Sequence, residues 1–234
     1  MRIIFPLIII FFFFTPDTFP QKGSTTIGIQ IKPIFPFSFP STNTITTISQ
    51  DVIFKTSLSS GFSAGLVVRH NFTNLLAFET GINYVKRKYS LSITDGEIVN
   101  NSSFRIISYE IPAVFMVYVQ LGEKIYINGS MGPTFDMFAS SVQTFDSVFN
   151  HVAFRNHVFQ PAITANVGLE YRTEKSGTFY LGAYFQRPFS FIYLSEVGYY
   201  GNNKNVVVAN ELSGSYLTID LRYFFPETTP KNVE

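Results

Sequence analysis

The sequence predicts an all-β fold, an eight-stranded antiparallel up-and-down β-barrel of the transmembrane kind. Three observations carry that expectation. Apolar and polar residues alternate with period two over long stretches, charged residues make up only 14% of the 234 while aromatic ones reach 17%, and the connections between alternating stretches are short and long by turns. A soluble domain averages roughly 25% charged residues, so this chain makes a poor surface for water. The aromatic content excludes a disordered chain, and 17 basic against 16 acidic side chains leave a net +1 with no basic face for nucleic acid. Zero Cys removes disulfides, thiolate metal sites, cysteine nucleophiles and an anchor cysteine for lipid together.

The chain opens with Arg2, an apolar run from Ile3 to Phe14, and the turn-rich Thr15-Pro16-Asp17-Thr18. As a helix the run spans about 18 Å, short of the ~20 residues a membrane helix needs but suited to the core of an export signal. Residues 1–20 are therefore expected to be a signal peptide cleaved near Pro20 or Gln21, with the barrel over 21–225 and a short tail over 226–234.

No later stretch approaches 18 uninterrupted apolar residues, so the apolar content has to be organised in strands. From Phe159 to Tyr171 the odd positions are Phe159, Pro161, Ile163, Ala165, Val167, Leu169 and Tyr171, and the even ones are Gln160, Ala162, Thr164, Asn166, Gly168 and Glu170. The same split recurs over Leu76–Tyr84 and Ile125–Met137, and closes the chain at Leu217, Ile219, Leu221, Tyr223 and Phe225. Collected in order, such runs give strands near 25–35, 57–71, 75–93, 104–119, 125–139, 155–172, 178–189 and 215–225. About ten residues at ~3.3 Å each, tilted near 40°, rise roughly 25 Å, the apolar height of an outer-membrane barrel. The connections are long at 36–56, 140–154 and 190–214, intermediate at 94–103, and short at 72–74, 120–124 and 173–177. That rhythm predicts short periplasmic turns, longer external loops, and both termini on the periplasmic side of a bacterial outer membrane. Pro33, Pro112, Pro133, Pro161 and Pro188 fall inside these strands, where each lacks a ladder donor, and Pro112 and Pro133 are expected at bulges or strand ends.

Four segments, GFSAGLVVRHNFTNLLAFETGINYVKRKYS (61–90), YEIPAVFMVYV (109–119), INGSMGPTFD (127–136) and YLTIDLRYFF (216–225), resemble the PorT-like, small outer-membrane β-barrel family of Gram-negative bacteria. The resemblance runs over about 200 residues, and its most specific pieces are the glycine-initiated hairpin reaching TGINY and the YEIP strand. It implies an eight-stranded barrel in the outer membrane and, for some members, a part in protein secretion; it implies no catalysis. One departure is that Pro226 to Glu234 follow Phe225, where such barrels often end on an aromatic residue.

Read in register, the polar face carries Lys32, Arg69, Arg172 and Arg222 with Glu79, Glu110, Asp136, Glu170 and Asp220. An eight-stranded barrel has an interior just wide enough for its own side chains, so these charges are expected to pair as a lumen network. Turned to lipid, the basic ones would cost ~2–4 kcal/mol each at the midplane, which opposes a one-residue slip. On the other face, Lys86, Lys88, Arg105, Arg155 and Arg187 fall towards the outer rim without an acidic companion. Long basic chains snorkel at any membrane boundary, and here they are also expected to form a collar facing lipopolysaccharide, whose phosphates suit Lys and Arg.

Catalytic readings are weaker. Glu79 and Glu110 have guanidinium groups as expected neighbours, which favours a structural pair over an acid/base pair. His151 and His157 are expected in the external loop with Ser140, Ser141, Asp146 and Ser147, and His70 beside a periplasmic turn, but no two share a strand face at a useful spacing. No Gly-rich phosphate loop, HExxH or calcium loop appears, so neither cofactor nor metal is expected. The expectation is a non-enzymatic outer-membrane barrel serving as anchor, binding surface or accessory for secretion or assembly. Its partners would be outer-membrane lipid, lipopolysaccharide and secretion or envelope proteins; a lipid-modifying enzyme and a narrow pore are the alternatives.

Overall fold

The structure, a computed structural model, describes residues 23–35, 44–173 and 175–226, so the signal segment 1–20 and residues 227–234 of the tail lie outside the described residues. Eight long strands form a ring: β1 (Ser24–Ile34), β3 (Val52–Asn71), β4 (Leu76–Asp95), β5 (Ile98–Gln120), β6 (Ile125–Phe138), β9 (Phe159–Arg172), β10 (Thr178–Pro188) and β13 (Tyr216–Phe224). Five shorter ones accompany them: β2 (Thr44–Ser49), β7 (Val142–Phe145), β8 (Phe149–Arg155), β11 (Tyr193–Tyr199) and β12 (Val206–Leu212). Every pairing is antiparallel, and the order β1-β13-β10-β9-β6-β5-β4-β3 closes on itself because β1 also pairs β3, with Ile29 opposite both Tyr223 and Leu66. Closure leaves the ring no free edge.

Alternation sets what each face meets. Along β9, Phe159, Val167, Leu169 and Tyr171 are exposed on the outside, while Gln160, Thr164 and Glu170 are buried in the lumen. Aromatic clusters mark two levels of the apolar outer wall. Phe62, Tyr84 and Tyr109 form one, with successive ring centroids 5.9 Å apart. Phe179, Tyr223 and Phe225, 5.1 and 5.4 Å apart, form the other at the end carrying the short turns. The prolines act locally. Pairing between β4 and β5 passes from Thr80↔Ala113 to Asn83↔Glu110, and between β5 and β6 from Pro112↔Thr134 to Phe115↔Met131. Thr80 Oγ1 donates to the Pro112 carbonyl at 2.8 Å, replacing part of the lost ladder. Pro161, in contrast, stays in register opposite Phe135.

The expected loops are where structure and sequence reading part. The 94–103 connection is a two-residue turn at Gly96-Glu97, with Gly96 at φ +61, and β4 and β5 run 20 and 23 residues. Of 36–56, the described part is a hairpin of β2 and β3 turning on Gln50 and Asp51, both at positive φ (49 and 63), as a tight twisted hairpin requires. Segments 140–154 and 190–214 supply β7, β8, β11 and β12, a second sheet in the order β12-β11-β8-β7. The expected sixth strand also breaks: β8 ends at Arg155, β9 starts at Phe159, and the two belong to different sheets.

The second sheet faces the upper parts of β3 and β4 across an apolar core. Val52, Phe54, Leu91 and Ile93 meet Phe149, Val197, Tyr199, Val206 and Val208, all buried. Below it a contiguous group including Tyr89, Phe104, Phe138, Tyr193 and Tyr216 continues into the ring. Thr47 Oγ1 donates to Asn210 Oδ1 at 2.6 Å, joining edge strand β2 to edge strand β12. The result is a β cap grown out of one end of the barrel.

Candidate functional site

Inward-facing polar residues form a two-level network. At the level nearer the short turns, Arg69 donates from Nε and Nη2 to Glu79 at 3.2 Å and from Nη1 to Glu170 at 2.7 Å. Arg172 Nε reaches the other Glu170 oxygen at 2.6 Å, and Arg222 bridges Glu79 and Asp220. Asn166 donates to Asp220 at 2.7 Å, while Tyr180 donates to Asn166. Arg69 also lies 3.7 Å over the Phe224 ring and Arg172 3.9 Å over Tyr126, so the cations are held on their faces as well as at their edges. Nearer the cap, Arg87 donates to Ser108 at 2.8 Å and to Glu110 at 2.9 Å, Tyr216 donates to Glu110 at 2.8 Å, and Gln186 holds both oxygens of Asp136 at 2.9 and 2.7 Å. Lys32 sits between the two levels, 3.7 Å over the Tyr184 ring.

All nine residues of the expected lumen set thus face inward. A tenth, Arg87, joins them, completely buried. Lys32, Arg69, Arg87, Arg172 and Arg222 balance Glu79, Glu110, Asp136, Glu170 and Asp220. The signal for Arg87 is the alternation itself, because turning Lys86 and Lys88 outward forces the residue between them inward. Glu79 and Glu110 do not form a pair of their own; each is tied to arginine.

The expected basic collar divides. Lys86, Lys88 and Arg105 come together on the outer wall around a recess of about 250 Å³. Arg187 faces outward on β10, opposite Ile163. Arg155 departs from the expectation, because it ends β8 of the cap and its guanidinium donates to the carbonyls of Phe138 and Ala139 at 3.1 and 2.7 Å. Its guanidinium caps carbonyls at the end of β6 and does not line the recess.

His151 is a second correction, buried in the cap core with its ring 4.3 Å from Phe104 and its Nε2 3.0 Å from Ser195 Oγ. Ser195 is also fully buried, and among the described residues Nδ1 of His151 has no hydrogen-bond partner, so there the pair lacks both access and an orienting carboxylate. His70, by contrast, pairs through Nδ1 with Thr25 Oγ1 at 2.8 Å. Desolvation holds the His151 imidazole down at about 4. An unfolded histidine takes its proton near 6.5, so between 6.5 and 4 only the unfolded cap binds it. Cap stability is therefore expected to fall as the pH drops through that window, by at most about 3 kcal/mol, and to lose nothing more on this account below it. Urea unfolding of the cap followed at pH 7, 5.5 and 4.5 checks this; a His151→Phe variant with the same pH slope as the wild type would refute it.

At the outer tip, Asp95 accepts from Lys204 at 2.6 Å, Asn202 at 2.7 Å and Tyr199 at 3.2 Å. These bonds, the lysine's first, hold its carboxyl below the usual range. Asn202 and Asn203, at φ 51 and 56, turn the β11–β12 hairpin onto it. Among the described residues no cluster of three His, Asp or Glu side chains is placed to hold a metal ion.

A closed antiparallel ring with a greasy exterior, a salt-bridged interior and aromatic levels on its wall has the architecture of the outer-membrane β-barrels. Among solved structures the chain is similar to the outer membrane protein OprG from Pseudomonas aeruginosa, at 12% identity and a TM-score of 0.55, over 88% of this chain and 97% of that one. At that identity the likeness is one of fold. No family model matches the sequence, and no curated protein matches it.

Proposed function

We propose that the protein is a non-conducting, non-enzymatic outer-membrane barrel whose work is done by its cap, as an anchored binding surface or accessory for envelope proteins. The observation that carries this reading is the packing of the lumen. Gln30, Asn83, Glu110, Asp136, Gln160, Glu170, Gln186 and Asp220 face inward at successive positions of seven strands, and none is more than 5% exposed. A water-filled path would wet such side chains. The exterior supports residence in lipid, with Ile29, Leu66, Ile82, Phe115, Val167 and Leu221 exposed on the outer wall. The short-turn end, which also carries β1 and β13 termini, is read as periplasmic, leaving the cap outside. The PorT-like segments favour an accessory role in secretion over transport.

Three measurements test it. Purified protein in planar bilayers is expected to give no steady ohmic conductance, and steady channels would overturn the plug. A cysteine at Asn203 is expected to react with an impermeant thiol reagent on intact cells, while one at Val167 resists it. A protected Asn203 site would reverse the orientation. Unchanged lipid A mass on expression is expected as well, since an altered mass would make the protein an enzyme.

A further inference from the structure

We propose that the outer wall of β3, β4 and β5, where barrel becomes cap, is a binding site for the phosphorylated glycolipid of the outer leaflet, lipopolysaccharide. The inference rests on the outward placement of the cap proposed above and adds a ligand and a site to it. Lys88 lies directly opposite both Ser60 and Arg105, and Lys86 opposite Phe62. The wall is dented here for a reason: the register slips between Leu58 and Ser60, a β-bulge that bends β3, and the next residue is Gly61, where a Cβ would run into the Lys86 carbonyl. Three cationic side chains thereby surround one recess, and the outward residues paired with them, Ser60, Phe62 and Ile107, carry no charge.

Position selects the ligand. The Phe62–Tyr84–Tyr109 layer sits immediately below the cations, and aromatic side chains of this kind lie at the headgroup level of a bilayer. Phosphates at that level meet two ammonium groups and a guanidinium fork in charge-assisted hydrogen bonds. Above the cations the same face carries two polar rows running straight across four strands. Thr44, Ser57, Ser90 and Ser103 are paired in one, and Thr46, Lys55, Ser92 and Asn101 in the next. Strands lie about 4.8 Å apart, so these rows present hydroxyl, ammonium and amide groups at regular spacing. A phospholipid ends at its headgroup and leaves both rows unmet. A glycolipid whose phosphorylated sugars continue outward as an oligosaccharide meets the cations with its phosphates and the rows with its hydroxyls.

The test uses the full protein in nanodiscs and labelled lipopolysaccharide carrying its phosphates and core sugars. Wild type is expected to bind it at least ~10-fold tighter than the dephosphorylated form or phosphatidylglycerol, and the K86Q/K88Q/R105Q variant to lose that advantage. A K124Q/K175Q variant, altered in turns at the opposite end, should bind like wild type. The S57A/S90A/S103A variant is expected to weaken binding of core-bearing lipopolysaccharide severalfold and to leave lipid A alone unaffected. Equal binding by the triple Gln variant and wild type would overturn the proposal, as would phosphatidylglycerol binding as well as lipopolysaccharide, or millimolar inorganic phosphate displacing the glycolipid. Each variant's heat-modified gel mobility reports folding separately, and the Asn203 labelling experiment fails or succeeds independently of this one.

Discussion

Replacing Arg222 with Ala is expected to lower the temperature at which the folded barrel gives way in detergent, at a cost of about 3–5 kcal/mol. The physical reason is the asymmetry of buried charge. Arg222 bridges Glu79 and Asp220, and the two carboxylates are 4% and 0% exposed, so its removal strands negative charge that neither water nor Arg69 can fully compensate. Arg172 makes the control. Its side chain is 33% exposed, it shares Glu170 with Arg69, and its loss should cost no more than about 1 kcal/mol. The measurement is the shift of gel mobility on heating. Equal shifts for the two variants would mean that the lumen around Arg222 is wet. A Glu79→Gln/Arg222→Met double variant, placed in a cycle with the single ones, should recover part of the loss because Glu79 no longer carries a stranded charge and only Asp220 has lost its guanidinium partner.

Phe54→Ala is expected to be about as severe, roughly 3–5 kcal/mol, but to act on the cap. Phe54 is completely buried on β3 and belongs to the core shared with Phe149, Val197, Tyr199 and Val208 of the second sheet. Truncation leaves a cavity between two sheets that are also joined by Thr47 with Asn210, by Asp95 with Lys204, and by the lower apolar group of Tyr89, Phe104, Phe138 and Tyr193. Proteolysis should then open segments 140–155 and 190–214 while the barrel keeps its heat-resistant mobility. Simultaneous loss of both would show that cap and barrel unfold as a single unit, and protection of the cap would remove its core as the source of its order.

The ring was legible in the alternation because a barrel wall puts unlike solvents on its two faces at every residue, which is the strongest period-two signal a sequence can carry. The nine lumen residues followed from the same register, as did the outward direction of Lys86, Lys88, Arg105 and Arg187. The cap was hidden by a different physics. Tyr193, Ser195, Val197 and Tyr199 alternate with Leu194, Glu196 and Gly198 as plainly as a barrel strand does, yet their seven-residue run is too short to cross a membrane, and a barrel's rhythm assigns such stretches to loops. His151 is misplaced with it, since a segment read as a solvated loop has no inside, and Arg155 is misplaced because the strand expected from 155 begins only at Phe159 and Arg155 ends a strand of the cap. Nor does any local signal pair His151 with Ser195, which lie 44 residues apart and meet only through β8 and β11.

The pairing of β1 with β13 has a consequence for how the molecule comes to be made. Gly28 bonds alongside Phe224, so the seam joins segments nearly two hundred residues apart, and no ring exists until the last strand has arrived. Such long-range pairing is slow, because loop closure has to be met before the contacts that reward it form. Until then β1 and β10 each present an unpaired edge beside the greasy outer wall. The barrel is thus closed only by its final strand, β13, which pairs β10 on one side and β1 on the other.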